Sequence, residues 1–211
     1  MRFKICGLKY KDNIEQVAAL HPDYIGFIFY PKSKRFVGND FVMPEISSDI
    51  KKVGVFVNAD FDYVFHTVIK YKLDLVQLHG DEDAYYCEDI AINFSQNEST
   101  KNVKIVKAFG VDENFDFDSL EPYVNYCDYF LFDTKTKDYG GSGHQFDWSI
   151  LKKYNNAKPF FLSGGIGLEE IKNIPKINLQ MYAIDVNSKF EIEPGLKNIE
   201  MIKELVDVLM C

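Results

Sequence analysis

The sequence is poor in cysteine, and none of its cysteines forms a C-x-x-C pair. The four residues stand far apart, at Cys6, Cys87, Cys127 and Cys211. Single, widely spaced cysteines argue against a disulfide framework and against a structural zinc site. The four histidines are also scattered, so we predict no metal site.

Long hydrophobic runs and an excess of basic residues are missing as well. No apolar stretch has the length of a signal peptide or a membrane-spanning helix, so we expect a cytoplasmic protein with no membrane partner. The formal net charge of −8 argues against a nucleic-acid partner, because binding a polyanion requires clustered Lys and Arg. A small metabolite is the better candidate ligand.

The sequence does contain enough hydrophobic residues to form one sizeable core. With 211 residues, 46% of them hydrophobic, we predict a single domain over residues 1–211. Eight short runs rich in Val, Ile, Phe and Tyr read as strands. They cover residues 2–6, 24–29, 52–57, 73–79, 103–109, 129–132, 159–162 and 181–186.

Helical spacing separates most of these strands, although it is less regular after the second, fourth and fifth. Asp12 with Glu15 predicts a capping box for the first helix, and Asp147 predicts a cap for a helix that begins at Trp148. Alternating strands and helices of the α/β class predict a parallel sheet, and eight units favour a (β/α)8 TIM barrel. An open, doubly wound sheet is the alternative.

In such a barrel the active site lies where the strands end, so the residues at the strand ends are candidates. Cys6 ends the first strand, and Asp133 ends the sixth. Either could be structural: Cys6 an inert buried thiol, Asp133 a turn residue. In the functional interpretation, Lys4 and the loop cations Lys32, Lys34 and Arg35 lower the pKa of the Cys6 thiol and make a thiolate available.

Glycine-rich segments follow the sixth and seventh strands. Ser163, Gly164 and Gly165 precede a helix that opens near Leu168, and backbone N–H groups at such a turn can bind phosphate. Gly141 and Gly143 belong to a similar segment. The alternative is that these glycines only form tight turns.

Two further side chains at strand ends can contact a ligand. Arg35 can clamp a carboxylate in a bidentate manner, whereas Lys32 and Lys34 are expected to be solvated. His79 lacks partners at metal-ligand spacing and is expected to be a hydrogen-bonding residue of the pocket.

The motifs at the strand ends together resemble one known family over almost the whole chain. They are residues 4–7 (KICG), 31–35 (PKSKR), 76–80 (VQLHG), Asp133, 140–143 (GGSG), 146–148 (FDW), 162–166 (LSGGI), 185–188 (DVNS) and 194–195 (PG). In this order they are similar to the phosphoribosylanthranilate isomerases of tryptophan biosynthesis. The resemblance implies a cofactor-free Amadori rearrangement of a phosphosugar, N-(5-phosphoribosyl)anthranilate.

The resemblance also implies roles for individual residues. Cys6 corresponds to the general base and Asp133 to the general acid, which must hold a proton near neutral pH; we expect an apolar pocket to favour that protonated form. Arg35 corresponds to the residue that binds the anthranilate group. The implied substrate-binding set is Arg35, His79, Gly141, Gly143, Ser163, Gly164, Gly165, Asp185, Asn187 and Ser188.

The chain departs from the family pattern at two places. Asn187-Ser188-Lys189 stands where the family usually has Ser-Ser-Gly, and His144 stands where a lysine is expected. Two other functions stay open: the isomerase of histidine biosynthesis, which uses two aspartates, and a catalytically silent phosphate-binding barrel. The oligomeric state is also open, between a monomer and a homodimer.

Overall fold

Eight parallel strands pair in chain order and close into a barrel, because β1 pairs with both β2 and β8. The computed structural model describes residues 1–135, 147–155, 157–177 and 179–210. The strands are β1 (Arg2–Ile5), β2 (Tyr24–Ile28), β3 (Lys51–Phe56), β4 (Leu75–Leu78), β5 (Lys104–Val111), β6 (Tyr129–Thr134), β7 (Phe160–Leu162) and β8 (Ala183–Val186). The prediction of a closed TIM barrel is therefore confirmed, and the open sheet is wrong.

Each of the eight predicted strands overlaps an observed strand. The prediction worked because the strands are covered on both faces, which makes them short, continuous apolar runs. Burial bears this out: every residue of β4, β7 and β8 is buried.

The helices follow the prediction less closely. The α-helices are α1 (Lys11–Ala18), α2 (Phe61–Tyr71), α3 (Ala84–Ser95), α4 (Leu168–Ile177) and α5 (Ile199–Met210). Residues 29–50, between β2 and β3, contain no helix. In the connections after β5 and β6, the described residues form 3-10 helices and no α-helix, at Phe117–Tyr123 and Trp148–Lys153.

The two predicted helix caps have opposite outcomes. Asp147 does cap the segment at Trp148, because its carboxylate accepts a hydrogen bond from the Ser149 N–H at 2.9 Å. The prediction of an Asp12–Glu15 capping box is wrong. The helix begins at Lys11 after an extended Tyr10, so Asp12 lies inside the first turn, where its charge faces the positive end of the helix dipole.

Side chains pack in two layers, one outside the strands and one inside the barrel. The outer layer joins the strands to the surrounding helices and includes the buried Trp148. The inner layer is a separate apolar cluster. It consists of Tyr24, Val53, Leu75, Val106, Ala108, Leu131, Phe161 and Ala183. Its side chains fill the barrel below the ends of the strands.

A short antiparallel hairpin, β9 (Glu191–Glu193) and β10 (Leu196–Lys197), lies between β8 and α5 and was not predicted. It turns at Gly195, whose φ of +94° favours glycine. None of the helices in the described ranges is long and apolar enough to cross a bilayer.

Candidate active site

A layer of polar side chains lies directly above the inner apolar cluster, at the carboxyl ends of the strands. Successive side chains of a strand alternate between its two faces, so the residue two positions after an inward one also points inward. Leu75 on β4 is followed in this way by Gln77 and His79. Leu131 on β6 is followed by Asp133, and Ala183 on β8 by Asp185.

Lys4 stands at the centre of this layer. Its ammonium donates hydrogen bonds to Asp185 Oδ2 at 2.8 Å and to Gln77 Oε1 at 2.5 Å, joining β1 to β8 and β4. Lys4 is 1% exposed and Asp185 is 5% exposed. Burial alone would lower the pKa of Lys4, but the charge of Asp185 and the Cys6 thiol raise it above its ordinary value. Lys4 therefore stays a cation.

A second set of contacts runs from Gln77 to Asp133. Gln77 Nε2 lies 2.6 Å from His79 Nδ1, and His79 Nε2 lies 3.3 Å from Asp133 Oδ2. The other oxygen of Asp133 accepts the backbone N–H of Thr134 at 2.8 Å. The expected apolar pocket around Asp133 is therefore wrong, since polar groups contact both of its carboxylate oxygens.

Cys6 is buried immediately after β1, beside Lys4. Gly26 on β2 makes room for both side chains: a Cβ atom there would lie 2.7 Å from Cys6 Sγ and 3.1 Å from Lys4 Cε. Burial raises the pKa of the Cys6 thiol, and the charges of Lys4 and Lys197 offset this only in part.

The expected lowering of the pKa of Cys6 by nearby cations is therefore wrong. Lys32 and Lys34 are exposed, as predicted for solvated charges. The positive charge beside the thiol comes from Lys4, whose effect is smaller than the cost of burying a thiolate.

The structure thus connects the two residues predicted to carry the chemistry. Lys4 lies beside Cys6 and hydrogen bonds to Gln77, Gln77 contacts His79, and His79 contacts Asp133. A thiol and a carboxyl group, one on each side of the barrel, are joined by side chains on its inner surface.

The predicted phosphate loop lies next to Asp133. Gly164 and Gly165 have φ angles of +92° and +66°, which few residues other than glycine adopt. A Cβ atom at Gly164 would lie 2.7 Å from the Thr134 nitrogen and 2.9 Å from Asp133 Oδ1. Glycine at position 164 therefore lets the loop after β7 approach the end of β6.

The N-terminus of α4 is only partly available to an anion. The Gly167 N–H donates to Glu170 Oε2 at 2.8 Å, so one backbone donor is already occupied. Lys189, which stands where the family has glycine, approaches this turn: its Cβ would lie 3.6 Å from a Cβ at Gly167. The side chain of Lys189 therefore begins beside this turn.

Arg35 lies among charged partners and is less free than predicted. Its Nε and Nη2 groups bind the Glu191 carboxylate in a bidentate manner, at 2.9 and 2.7 Å. Lys197 binds the same carboxylate at 2.7 Å and donates to Asn187 Oδ1 at 2.7 Å. Lys197 is 0% exposed and Glu191 is 4% exposed.

Gly7 brings the end of β1 against this charged group. Its φ is +77°, and a Cβ atom there would lie 2.7 Å from Asn187 Oδ1 and 2.8 Å from Arg35 Cδ. Ser188 follows Asn187 in a short 3-10 helix, Ser188–Phe190. The predicted residues on the loops after β1, β2 and β8 therefore converge.

Sequence reasoning missed four residues of this site: Gln77, Gly26, Glu191 and Lys197. Gln77 had a usable signal, because it precedes His79 by two residues on the same strand and so shares its face. Glu191 and Lys197 had no such signal, since their hairpin carries no regular apolar pattern.

Predicted residues Gly141 and Gly143 lie outside the described residues. Within the described ranges, no three His, Cys, Asp or Glu side chains are grouped so as to hold a metal ion.

Comparison with known proteins shows which family this chain resembles over almost its whole length. The family described as N-(5'phosphoribosyl)anthranilate (PRA) isomerase matches residues 3–208. The N-(5'-phosphoribosyl)anthranilate isomerase of Parabacteroides distasonis is 41% identical over 215 aligned positions, covering 100% of this chain and 94% of the relative.

Solved structures agree with this result. The crystal structure of phosphoribosyl anthranilate isomerase from Thermotoga maritima has a TM-score of 0.81 at 32% identity, covering 100% of this chain and 98% of that one. A phosphoribosyl anthranilate isomerase in complex with reduced 1-(o-carboxyphenylamino)-1-deoxyribulose 5-phosphate has a TM-score of 0.77 at 29% identity, with the same coverage.

Proposed function

Because this chain belongs to the N-(5'-phosphoribosyl)anthranilate isomerase family, and is therefore an isomerase, we propose how its own residues carry out the reaction. The substrate is N-(5-phosphoribosyl)anthranilate and the product is 1-(2-carboxyphenylamino)-1-deoxyribulose 5-phosphate, formed on the route to tryptophan. Cys6 is the general base and Asp133 is the general acid. No cofactor takes part.

The observation that supports these roles most is the connection between Cys6 and Asp133 through Lys4, Gln77 and His79. The reaction requires one group to give a proton and another to take one. A thiol and a carboxyl group on the inner surface of one barrel mouth supply both. The reduced product held by a relative is the kind of molecule that such a mouth accommodates.

The proposed chemistry has two proton transfers. Asp133 protonates the ring oxygen of the ribose, the bond from C1 to that oxygen breaks, and the anthranilate nitrogen forms a Schiff base with C1. The Cys6 thiolate then removes the proton from C2, and the resulting enolamine tautomerises to the ketone. The Lys4 ammonium favours the thiolate, because it lies beside the sulfur.

The remaining predicted residues hold the substrate. Ser163, Gly164 and Gly165 with Asn187 and Ser188 bind the phosphate. The exposed cation of Lys189 adds to their backbone donors. Binding energy from the phosphate, remote from C1 and C2, orients the sugar between acid and base.

The other predicted residues contact the sugar and the anthranilate group. His79 and Asp185 contact the sugar. Gly141 and Gly143, which lie outside the described residues, belong to the same substrate-binding set. Arg35 binds the anthranilate carboxylate with the part of its guanidinium that Glu191 leaves uncovered.

The test is turnover of the purified chain on N-(5-phosphoribosyl)anthranilate, measured as product formed by chromatography. Cys6→Ala and Asp133→Asn should each lower kcat about 10²- to 10⁴-fold, the usual contribution of a general acid or base. Cys127→Ala and Asp112→Asn are matched controls, because they remove another buried thiol and a surface carboxylate. If either active-site variant kept near-native turnover with a native circular dichroism spectrum, that assignment would be wrong.

Three further properties belong to this proposal. The chain forms one domain over residues 1–211, acts in the cytoplasm and is a monomer or a homodimer. A Thermotoga maritima relative is described as dimeric. Light scattering after size-exclusion chromatography distinguishes the two oligomeric states for this chain.

A further inference from the structure

The orientation of the Gln77 amide is fixed by Lys4. A lysine ammonium has three N–H donors and no acceptor, so the atom of Gln77 that faces it at 2.5 Å is the amide oxygen. Lys4 also donates to Asp185, which keeps the ammonium in place inside the barrel. The other end of the amide, the NH2 group, must point away from Lys4.

The tautomer of His79 follows from that orientation. Gln77 Nε2 lies 2.6 Å from His79 Nδ1 and can only donate, so Nδ1 must accept with its lone pair. A neutral imidazole carries one proton, which therefore sits on Nε2. That nitrogen lies 3.3 Å from Asp133 Oδ2. Each donor in this series of contacts therefore lies near an acceptor.

An imidazolium at His79, with a proton on both ring nitrogens, would disrupt this series of donors and acceptors. A proton on Nδ1 would place an N–H against the N–H of Gln77, and Gln77 cannot turn over because Lys4 holds its oxygen.

The charged groups around His79 come from several strands. Asp133 on β6 and Asp185 on β8 are its acidic neighbours, and Lys4 on β1 is the nearby cation. Asp185 is already paired with Lys4 at 2.8 Å. Behind His79, Lys107 on β5 is paired with Glu82 at 3.2 Å. Asp133 is thus the one adjacent carboxylate without a cationic partner among the described residues.

We propose that Gln77 is a positioning residue that holds His79 as the neutral Nε2–H tautomer, so that Asp133 faces a hydrogen-bond donor and not a cation. This proposal rests on the proposed function, in which Asp133 is the general acid. A cation beside a carboxyl group stabilises its ionised form. An imidazolium at position 79 would therefore deprive the acid of its proton, and Gln77 prevents this.

The decisive variant is Gln77→Glu, which keeps the shape of the side chain and removes the donor that faces Nδ1. A carboxylate there accepts from both Lys4 and His79, so it favours a proton on Nδ1 in addition to the one on Nε2. Gln96→Glu, at the exposed C-terminus of α3, adds the same charge away from the site and serves as the control.

The primary measurement is the protonation of the two imidazole nitrogens, read from two-bond ¹H–¹⁵N correlation spectra of labelled protein without substrate. The signal missing from His79→Gln identifies His79. We expect a neutral Nε2–H pattern at pH 7 in the native protein and in Gln96→Glu, and an imidazolium pattern in Gln77→Glu. We also expect Gln77→Glu to lower kcat about 10- to 100-fold, with a much smaller change in KM.

Two outcomes would overturn the proposal: an Nδ1–H or imidazolium pattern for His79 in the native protein at pH 7, or an unchanged tautomer in Gln77→Glu. If Gln77→Glu does not fold, Gln77→Met removes the donor without adding charge. His79 should then gain a proton on Nδ1 at a higher pH than in the native protein, and an unchanged titration would count against Gln77. These spectra need no turnover. They therefore test the role of Gln77 independently of whether Asp133 is the general acid.

Discussion

At Cys6, burial and a neighbouring cation act in opposite directions on the thiol. Burial is the larger effect, so the pKa of Cys6 lies above its ordinary value even though Lys4 lies beside the sulfur. A form with a thiolate at Cys6 and a protonated Asp133 has the same number of protons as a form with a thiol and a carboxylate. In the proposed mechanism, the enzyme therefore reaches its reactive form without exchanging a proton with solvent.

This leads to a prediction about pH. The absorbance of thiolate near 240 nm, taken as the difference between the native protein and Cys6→Ala, should be small at pH 7 and should rise only above the ordinary thiol pKa of about 8.5. The sign follows from the raised pKa, since a buried thiol releases its proton at higher pH. Cys87, Cys127 and Cys211 cancel in the difference. A full thiolate signal at pH 7 would contradict this account.

Several residues of the site were predictable because each one ends a strand. Cys6, His79, Asp133 and Asp185 could be placed on one rim once the strands were recognised. Their environment was not predictable. Whether Cys6 is buried and which atom of Gln77 faces Lys4 depend on contacts between strands that are 73 residues apart in the sequence.

Among the structural elements, the hairpin of β9 and β10 has the clearest role. Its Glu191 accepts hydrogen bonds from Arg35, and its Lys197 donates hydrogen bonds to both Glu191 and Asn187. The hairpin therefore fixes residues from the loops after β2 and β8. Burial alone would raise the pKa of Glu191, but the hydrogen bonds from Arg35 and the charge of Lys197 lower it.

The hairpin yields a prediction about stability. A carboxylate with a lowered pKa stabilises the fold above its unfolded pKa of about 4.3, and this contribution is lost as the pH falls through the lower folded value. Glu191→Gln should therefore lower the free energy of unfolding by about 3 kcal/mol at pH 7, as expected for breaking a buried ion pair. The difference from the native protein should shrink below pH 4.

The measurement is urea denaturation at pH 7 and at pH values below 4. Glu193→Gln is the matched control, since Glu193 lies exposed on the same hairpin and should change stability by less than about 1 kcal/mol. Equal losses in the two variants at pH 7 would show that Glu191 does not brace Arg35.

The strands and helices differ in how well the sequence predicts them. Strands buried on both faces stand out as apolar runs, and all eight were found. The segment between β2 and β3 packs Phe41 and Ile50 into the outer core without forming a helix, so its apolar residues follow no helical period. The connection after β5 contains Pro122, which lacks the N–H that an α-helix needs at that position.

For the whole molecule, closure of the barrel makes each strand depend on two neighbours. We predict that the chain unfolds as one unit. Denaturation followed by the fluorescence of Trp148, the only tryptophan, should coincide with denaturation followed by far-ultraviolet circular dichroism. Trp148 reports the region after β6, whereas the dichroism reports all strands and helices. Separate midpoints would show that the chain contains more than one cooperative unit.

The pairing of β1 with β8 also determines when the barrel can close during synthesis. Asp185 follows Lys4 by 181 residues, so at roughly 5 to 20 residues per second the ribosome needs roughly 10 to 35 s to deliver the partner of the first strand. Until then β1 has one unpaired edge, and Lys4 has no carboxylate beside it. A nascent chain therefore acquires its catalytic centre in a late step, after most of its strands already exist, and a truncated product that lacks β8 would be both inactive and open to pairing with other chains.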